Sequence, residues 1–291
     1  MLIRFLIVAV LSGFFAAGAT SGAQAQQPIS PGQQAASPSG WTFNIAPYAW
    51  MPHLDSTSTF NLPPALGGTV SADSSVGFGD LLSRLNFATM VAADAHYGRF
   101  SVLTDFIYMN LGGTASQFRS VDFPGRPSIP ISGSVQTSEG MNLNSKIWTL
   151  AGGYTLVQGD WGNFDVIAGF RYLGMPVSID YSLALTLTGP RGNGATFGGI
   201  GSVSGTAALW NGIGGFRGSV RVGDTKLFIP YYFDAGAGGS KFTWQIASGL
   251  GYRISWADLS LTYRYLSFEQ DSGVLRRLSA YGPMIMVNFT F

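Results

Sequence analysis

The chain contains no cysteine, and only 11% of its 291 residues are charged, against about a quarter in an ordinary soluble domain. Without cysteine, no disulfide staples the fold. Histidine is nearly absent too: His53 and His96 are the two in the sequence, and two separated histidines without a thiol cannot make a usual zinc set. No cofactor or metal site is legible. The charges almost cancel at +1, which excludes a basic nucleic-acid footprint and disorder driven by self-repulsion. Long apolar runs are also missing. From Trp41 onward no stretch of 18 or more residues is fit to be a transmembrane helix; the nearest, Asn193 to Phe216, is uncharged but holds eight glycines, which a helix tolerates poorly. What the chain does hold is 46% apolar residues, 14% aromatics and 40 glycines. Too little charge for a water-facing surface, combined with no helical membrane span, points to a membrane β-barrel.

Met1 to Ala25 reads as a signal peptide. Arg4 precedes an apolar stretch from Phe5 to Ala17, and Ala23-Gln24-Ala25 supplies small residues for cleavage. Residues 26–40 mix Pro, Gln, Ser and Gly without periodicity and read as a flexible lead. Residues 41–291 then form one barrel domain, exported through the periplasm to the cell outer membrane.

Strand periodicity dominates that domain. In Phe100 to Tyr108, one face carries Phe100, Val102, Thr104, Phe106 and Tyr108, the other Ser101, Leu103, Asp105, Ile107 and Met109. In Phe242 to Ile254, large residues such as Trp244 and Tyr252 alternate with the smaller Thr243, Gln245, Gly249 and Gly251. A β-sandwich would turn its polar faces to water with far more Lys and Glu. Here the sparse polar set suits a narrow barrel interior, and the aromatic-rich set suits lipid. Phe100 and Tyr108, like Trp244 and Tyr252, are spaced to anchor both edges of an apolar band about 25 Å tall.

Ten strands follow from this pattern, near 41–51, 86–97, 100–112, 141–157, 164–185, 205–222, 226–236, 242–254, 258–269 and 278–291. The architecture expected is all-β, a closed antiparallel transmembrane barrel with short periplasmic turns and longer extracellular loops at 52–85, 113–140 and 186–204. Within 52–85, Thr57 to Leu62 and Thr69 to Asp73 flank a Pro-Pro turn as a hairpin, and promoting its arms to barrel strands gives the alternative count of twelve. Phe78, Leu81, Leu82 and Leu85 fall at helical spacing, so a two-turn helix is expected at the rim. A bulge is expected at Gly174-Met175-Pro176, where the alternation breaks. Gly198-Gly199-Ile200-Gly201 reads as a loop.

At the C-terminus, Ile285, Val287, Phe289 and Phe291 alternate with Met286, Asn288 and Thr290, and the chain stops at the final Phe. This resembles the assembly signal of Gram-negative outer-membrane β-barrel proteins of the porin-like and OmpA-type small-barrel class. The resemblance implies insertion by the outer-membrane barrel assembly machinery, with outer-membrane lipid as the surrounding partner.

By phase, the lumen-facing polar residues are Asp94, His96, Asp105, Asp165, Arg171, Asp180, Asn211, Arg217, Arg221, Asp234, Gln245, Arg253, Arg264 and Asn288. Two readings stay open. Opposite charges can pair across a plugged interior, or an Arg ladder (Arg171, Arg217, Arg253, Arg264) facing an Asp set can line a thin path for small solutes. The expected protein is thus structural or a slow narrow pore and not an enzyme, the alternatives being a surface-interaction scaffold built on the outer loops and, more remotely, a loop-borne enzyme using His53 and Asp55. Transported solute, surface partner and oligomeric state are not encoded in any motif.

Overall fold

A computed structural model describes residues 40–61, 69–112, 115–117, 134–136, 142–188, 194–273 and 275–291. The strands are β1 (Trp41–Trp50), β2 (His53–Asn61), β3 (Thr69–Val76), β4 (Leu85–Tyr97), β5 (Phe100–Gly112), β6 (Ala115–Gln117), β7 (Ser134–Gln136), β8 (Asn142–Gly159), β9 (Gly162–Thr188), β10 (Gly194–Arg221), β11 (Leu227–Gly238), β12 (Phe242–Arg253), β13 (Asp258–Glu269) and β14 (Leu275–Thr290), and the helix α1 is Phe78–Arg84. Ten of them close on themselves in the order β1-β4-β5-β8-β9-β10-β11-β12-β13-β14, and β14 pairs back to β1. The protein is a ten-strand antiparallel β-barrel, as the alternation requires. Closure removes the free edges that an open sheet would expose to lipid.

The seam is made by the terminal strands. Asn44 pairs with Thr290 and Trp50 with Met284, and Phe43 and Phe291 exchange backbone hydrogen bonds of 3.1 and 2.8 Å. The side chains of Ile285 and Phe291 face outward, exposed, while Phe289 stacks on Trp256 at 5.8 Å. The short connections 98–99, 160–161, 222–226 and 254–257 all lie at the end where the barrel starts and finishes, called here the turn end. Gly98 and Gly223 adopt φ of +58° and +56°, a left-handed conformation that a side chain would strain.

Four of the described strands lie outside the ring: β6 and β7 form a small hairpin of their own, and β2 and β3 extend the main sheet, which settles the count. β2 continues β1 beyond Met51-Pro52 and pairs with the upper part of β14, from His53↔Tyr281 to Ser58↔Leu275. β3 pairs with β2 in turn. The hairpin arms are therefore stacked above the barrel wall and do not widen it. The helix forms where its spacing placed it, with Asp80 in its first turn and Arg84 in its last, charges that suit the helix dipole; Leu81 is its buried residue.

Three expectations need correction. The loop expected at 186–204 is mostly strand: β9 runs to Thr188 and β10 starts at Gly194. With it, Gly198-Gly199-Ile200-Gly201 lies in β10, paired with Tyr181 to Ala184; a long complementary partner overrides the turn tendency of glycine. No register shift occurs at Gly174-Met175-Pro176. Pairing of β8 with β9 ends at Gly174, so Pro176 sits where β9 keeps its ladder with β10, an edge setting that accepts proline. The irregularity falls instead between Thr155 and Val157, where Leu156 and Val157 are both turned outward and about half exposed, as a bulge allows. The signal peptide, the 26–39 lead and most of the 113–140 connection lie outside the described residues.

Candidate functional site

Every barrel strand sends alternate side chains inward, and those residues form layers along the axis. Nearest the turn end is a polar layer. Arg217 on β10 has Nη2 3.4 Å from Asp94 Oδ2 on β4 and donates to Ser101 Oγ on β5 at 3.3 Å. His96, two residues along β4, contacts Asp94 and lies 3.3 Å from the same Arg217 nitrogen. Arg217 Nε stands 3.6 Å from Asp165 on β9, an ion pair too long for a hydrogen bond. Asn44 donates to Asp94 from β1. Side chains here keep some contact with water, 18% exposed for both Arg217 and Asp94.

A second polar layer lies deeper and is drier, its most exposed member being Asp105 at 17%. Arg171 on β9 and Asp234 on β11 form a two-pronged pair with both side chains at 0% exposure; one prong is 2.9 Å, the other joins Nη2 to Oδ2, and Arg171 Nε donates to Thr149 at 3.2 Å. Across the lumen Arg264 on β13 reaches Asp105 at 2.8 Å, Gln245 at 2.8 Å and Tyr48 at 3.2 Å, with its guanidinium 4.9 Å from the Trp50 ring. Tyr48 donates its hydroxyl to Asp105. The planar guanidinium matches a carboxylate in a way a lysine could not. Asn211 accepts from the Ser240 backbone N–H at 2.7 Å.

Above both layers the interior turns apolar. Ile107, Leu173, Leu266 and Phe268 are each 1–2% exposed, and Trp50, Met109, Ile147, Leu209, Leu278 and Met284 pack with them. The polar, largely filled interior expected from the sequence thus holds for the two lower layers and gives way to apolar packing above them. Inward-facing Leu103, Ile107 and Met109 share one parity with Asp105, so the signal was present in β5, but an apolar residue carries no mark of which face it takes. Tyr48, Trp50 and Thr149 carried no mark of their own in the sequence; their inward parity with Asn44 and Ala151 was the available signal.

Ten of the fourteen expected lumen residues join the two polar layers: Asp94, His96, Asp105, Asp165, Arg171, Asn211, Arg217, Asp234, Gln245 and Arg264. Three stand apart at the turn end. Arg221 is exposed; Arg253, also exposed, lies 3.9 Å from Asp258 and over the Phe228 ring; Asn288, half-buried, pairs in register with Asp258. The side chain of Asp180 lies outside the described residues. The Arg ladder is not continuous, since Arg171 and Arg264 are each locked to a carboxylate of their own. Crowding explains the small residues of β12: a Cβ on Gly251 would come within 2.2 Å of the Phe228 ring.

Outside the lumen, His53 and Asp55 face outward on β2. His53 Nε2 is 2.8 Å from Ser75 Oγ and 3.2 Å from Asp55 Oδ1, so one ring nitrogen serves both partners. A Ser-His-Asp relay needs the carboxylate on one nitrogen and the nucleophile on the other. Asp55 Oδ2 accepts from Tyr281 at 2.9 Å. Among the described residues no group of three or more metal-ligating side chains converges.

A closed ten-strand antiparallel barrel with short turns at one end, an aromatic-rich outer face and a filled polar core has the fold of the Gram-negative outer-membrane β-barrels. The chain resembles the outer membrane protease OmpT from Escherichia coli at a TM-score of 0.55 and 12% identity, covering 87% of this chain and 98% of that one. The translocator domain of the autotransporter NalP from Neisseria meningitidis aligns at 14% identity over 86% and 88% of the two chains, with a TM-score of 0.34. At 12% identity the likeness to the protease is one of fold. No protein-family model matches the chain, and no curated protein sequence matches it.

Proposed function

We propose that the protein is an integral outer-membrane barrel with a sealed lumen that acts at the cell surface through the sheet rising above the barrel. The observation that carries this reading is the apolar layer over the paired charges: an ion entering from the loop end would meet Ile107, Leu173, Leu266 and Phe268, all 1–2% exposed, before it reached a charged partner. A barrel of about eight strands is just filled by its own side chains, and water-filled channels come with 16 or more. Strand length supports the surface role. β9 and β10 span 27 and 28 residues, where crossing a bilayer takes about 9–11, so more than half of this hairpin extends past the membrane. β2 and β3 add a second extension. With both termini periplasmic and residues 1–25 acting as the export signal, these extensions face outside. The protein works as a scaffold and not as an enzyme, and His53 and Asp55 serve to hold β2, β3 and β14 together.

Planar bilayers containing the refolded chain test the seal. Silence, with heat-modifiable gel migration proving a folded barrel, is the expected result. Steady channels whose ion preference changes in Arg171→Ala or Arg217→Ala would overturn it in favour of a narrow solute path.

A further inference from the structure

Above the barrel, the outer face of β12, β13, β14, β2 and β3 carries a groove that the lumen chemistry does not use. Register builds it row by row. Trp244, Ser267, Ser279, Asp55 and Ser75 are cross-strand partners in sequence, and partners in a ladder project to the same side. They form the floor, where Ser267 and Ser279 are recessed to 2% and 5% exposure although they point outward. One step toward the turn end, Tyr265 pairs with Tyr281 and Tyr281 with His53. Trp244 and Tyr265 line the groove on this side, and Tyr281 and His53 continue the aromatic row beyond its lining, with successive ring centroids 4.7, 5.7 and 5.1 Å apart. One step away, Glu269, Arg277, Thr57 and Asp73 form the opposite wall. The volume of this open groove is about 540 Å³, within the range of small-molecule sites. Five strands spaced about 4.8 Å apart make the groove about 19 Å long, running across the strands.

Shape and charge select the occupant. A long, narrow groove fits an extended chain better than a compact one. Arg277 is matched by Glu269 at 3.3 Å, whereas Asp73 accepts from the neutral hydroxyl of Thr57 and Asp55 from that of Tyr281, with His53 3.2 Å away, so no lysine or arginine neutralises either carboxylate among the ion pairs of the described residues. We propose that this groove binds a linear organic polycation, with protonated amines against Asp55 and Asp73 and methylene segments lying along the Trp244 and Tyr265 rings. Aromatic faces and carboxylates both favour alkylammonium groups. A free polyamine and a lysine-rich peptide share this chemistry. The inference rests on the surface role proposed above, since it needs this face to look outward from the cell.

Calorimetric titration of the refolded full chain in detergent micelles, with spermidine and with trilysine, tests it. Saturable binding is expected, weakened about tenfold or more when Asp55→Asn and Asp73→Asn are combined, weakened also by Trp244→Ala, and unchanged by Asp160→Asn at the opposite end. Tighter binding of trilysine would assign the groove to a basic peptide, and tighter binding of spermidine to a free polyamine; either supports the proposal. Absence of saturable binding to both, equal affinity in the double variant, or a preference for the neutral chain maltotriose would overturn it. Heat-modifiable migration checks that each variant is folded. A failed titration beside a silent bilayer removes the groove and leaves the sealed barrel standing; channels in the bilayer would strike the sealed barrel alone.

Discussion

Arg171–Asp234 and Arg217–Asp94 are the same chemical pair in two settings. The first is wholly buried at 0% exposure on both sides. The second lies toward the turn end with both side chains 18% exposed, shares its carboxylate with His96 and Asn44, and leaves the guanidinium Nε without a hydrogen-bond partner. Around Arg171 and Asp234 no water reaches the charges, so the pair and Thr149 must supply the whole of their solvation. In the wetter layer several imperfect contacts and water divide the task. The contrast explains why the seal sits where it does: the apolar layer adjoins the pair that tolerates no water.

Removing half of the dry pair should therefore give the largest effect. Asp234→Ala leaves Arg171 charged and buried, and a loss of about 3–5 kcal/mol is expected, read as a shift of the urea unfolding midpoint in micelles. Replacing both partners, Arg171→Met with Asp234→Leu, should recover most of that loss, because an apolar core needs no partner. A double variant as unstable as the single one would mean that the pair contributes more than mutual solvation. Next in size is the seal itself. Phe268→Ala removes a side chain 2% exposed in the middle of the apolar layer, and about 3–5 kcal/mol is the usual range for such a deletion, toward the lower end here if Leu266 and Leu278 relax into the space. The same variant sharpens the comparison by conductance: if the apolar layer is the barrier, Phe268→Ala should leak where Arg217→Ala stays silent.

The architecture was legible in the sequence because lipid demands it. Outward faces such as Phe100, Val102 and Phe106 must be apolar whatever lies inside, and closure of the backbone ladder then follows. The seal was hidden for the complementary reason. Ile107, Leu173 and Leu266 are the same residue types as the outward Leu250, Leu261 and Ile285, so alternation reports the phase of a strand but not that both of its faces are apolar. Pairing inside the lumen was hidden too. Arg171 and Asp234 were each placed inward by parity, yet they stand 63 positions apart, and which arginine meets which aspartate depends on the stagger of the strands. The β9–β10 extension was missed because its glycines satisfy turn chemistry locally, and a partner strand decides otherwise.

In the wet layer a smaller effect is expected. His96→Ala should cost about 1 kcal/mol, above the median of a surface pair and well below the buried one, since Asp94 keeps Arg217 and Asn44. A loss as large as that of Asp234→Ala would show that the turn end is as dry as the middle and would dissolve the distinction between the layers.

The smallest effect belongs to the outward face, where Asp55 offers a pH test. Burial pushes its carboxyl upward, but hydrogen bonds from Ser75 and Tyr281 and the neighbouring His53 outweigh it and hold the group below its ordinary value of 3.8. The folded state then binds fewer protons than the unfolded one, so the contribution of Asp55 to holding β2 on β14 is present above 3.8 and lost as pH falls through the lower folded value. Tyr281→Phe removes one donor while keeping the ring that stacks on His53. Its expected consequence is an Asp55 titration midpoint, followed by carboxyl carbon NMR, that moves up toward 3.8, with the unfolding midpoint at neutral pH nearly unchanged because Asp55 is largely solvated. An unmoved midpoint would mean that Ser75 and His53 alone hold the carboxylate, and that the hydroxyl of Tyr281 is free to turn toward whatever occupies the groove.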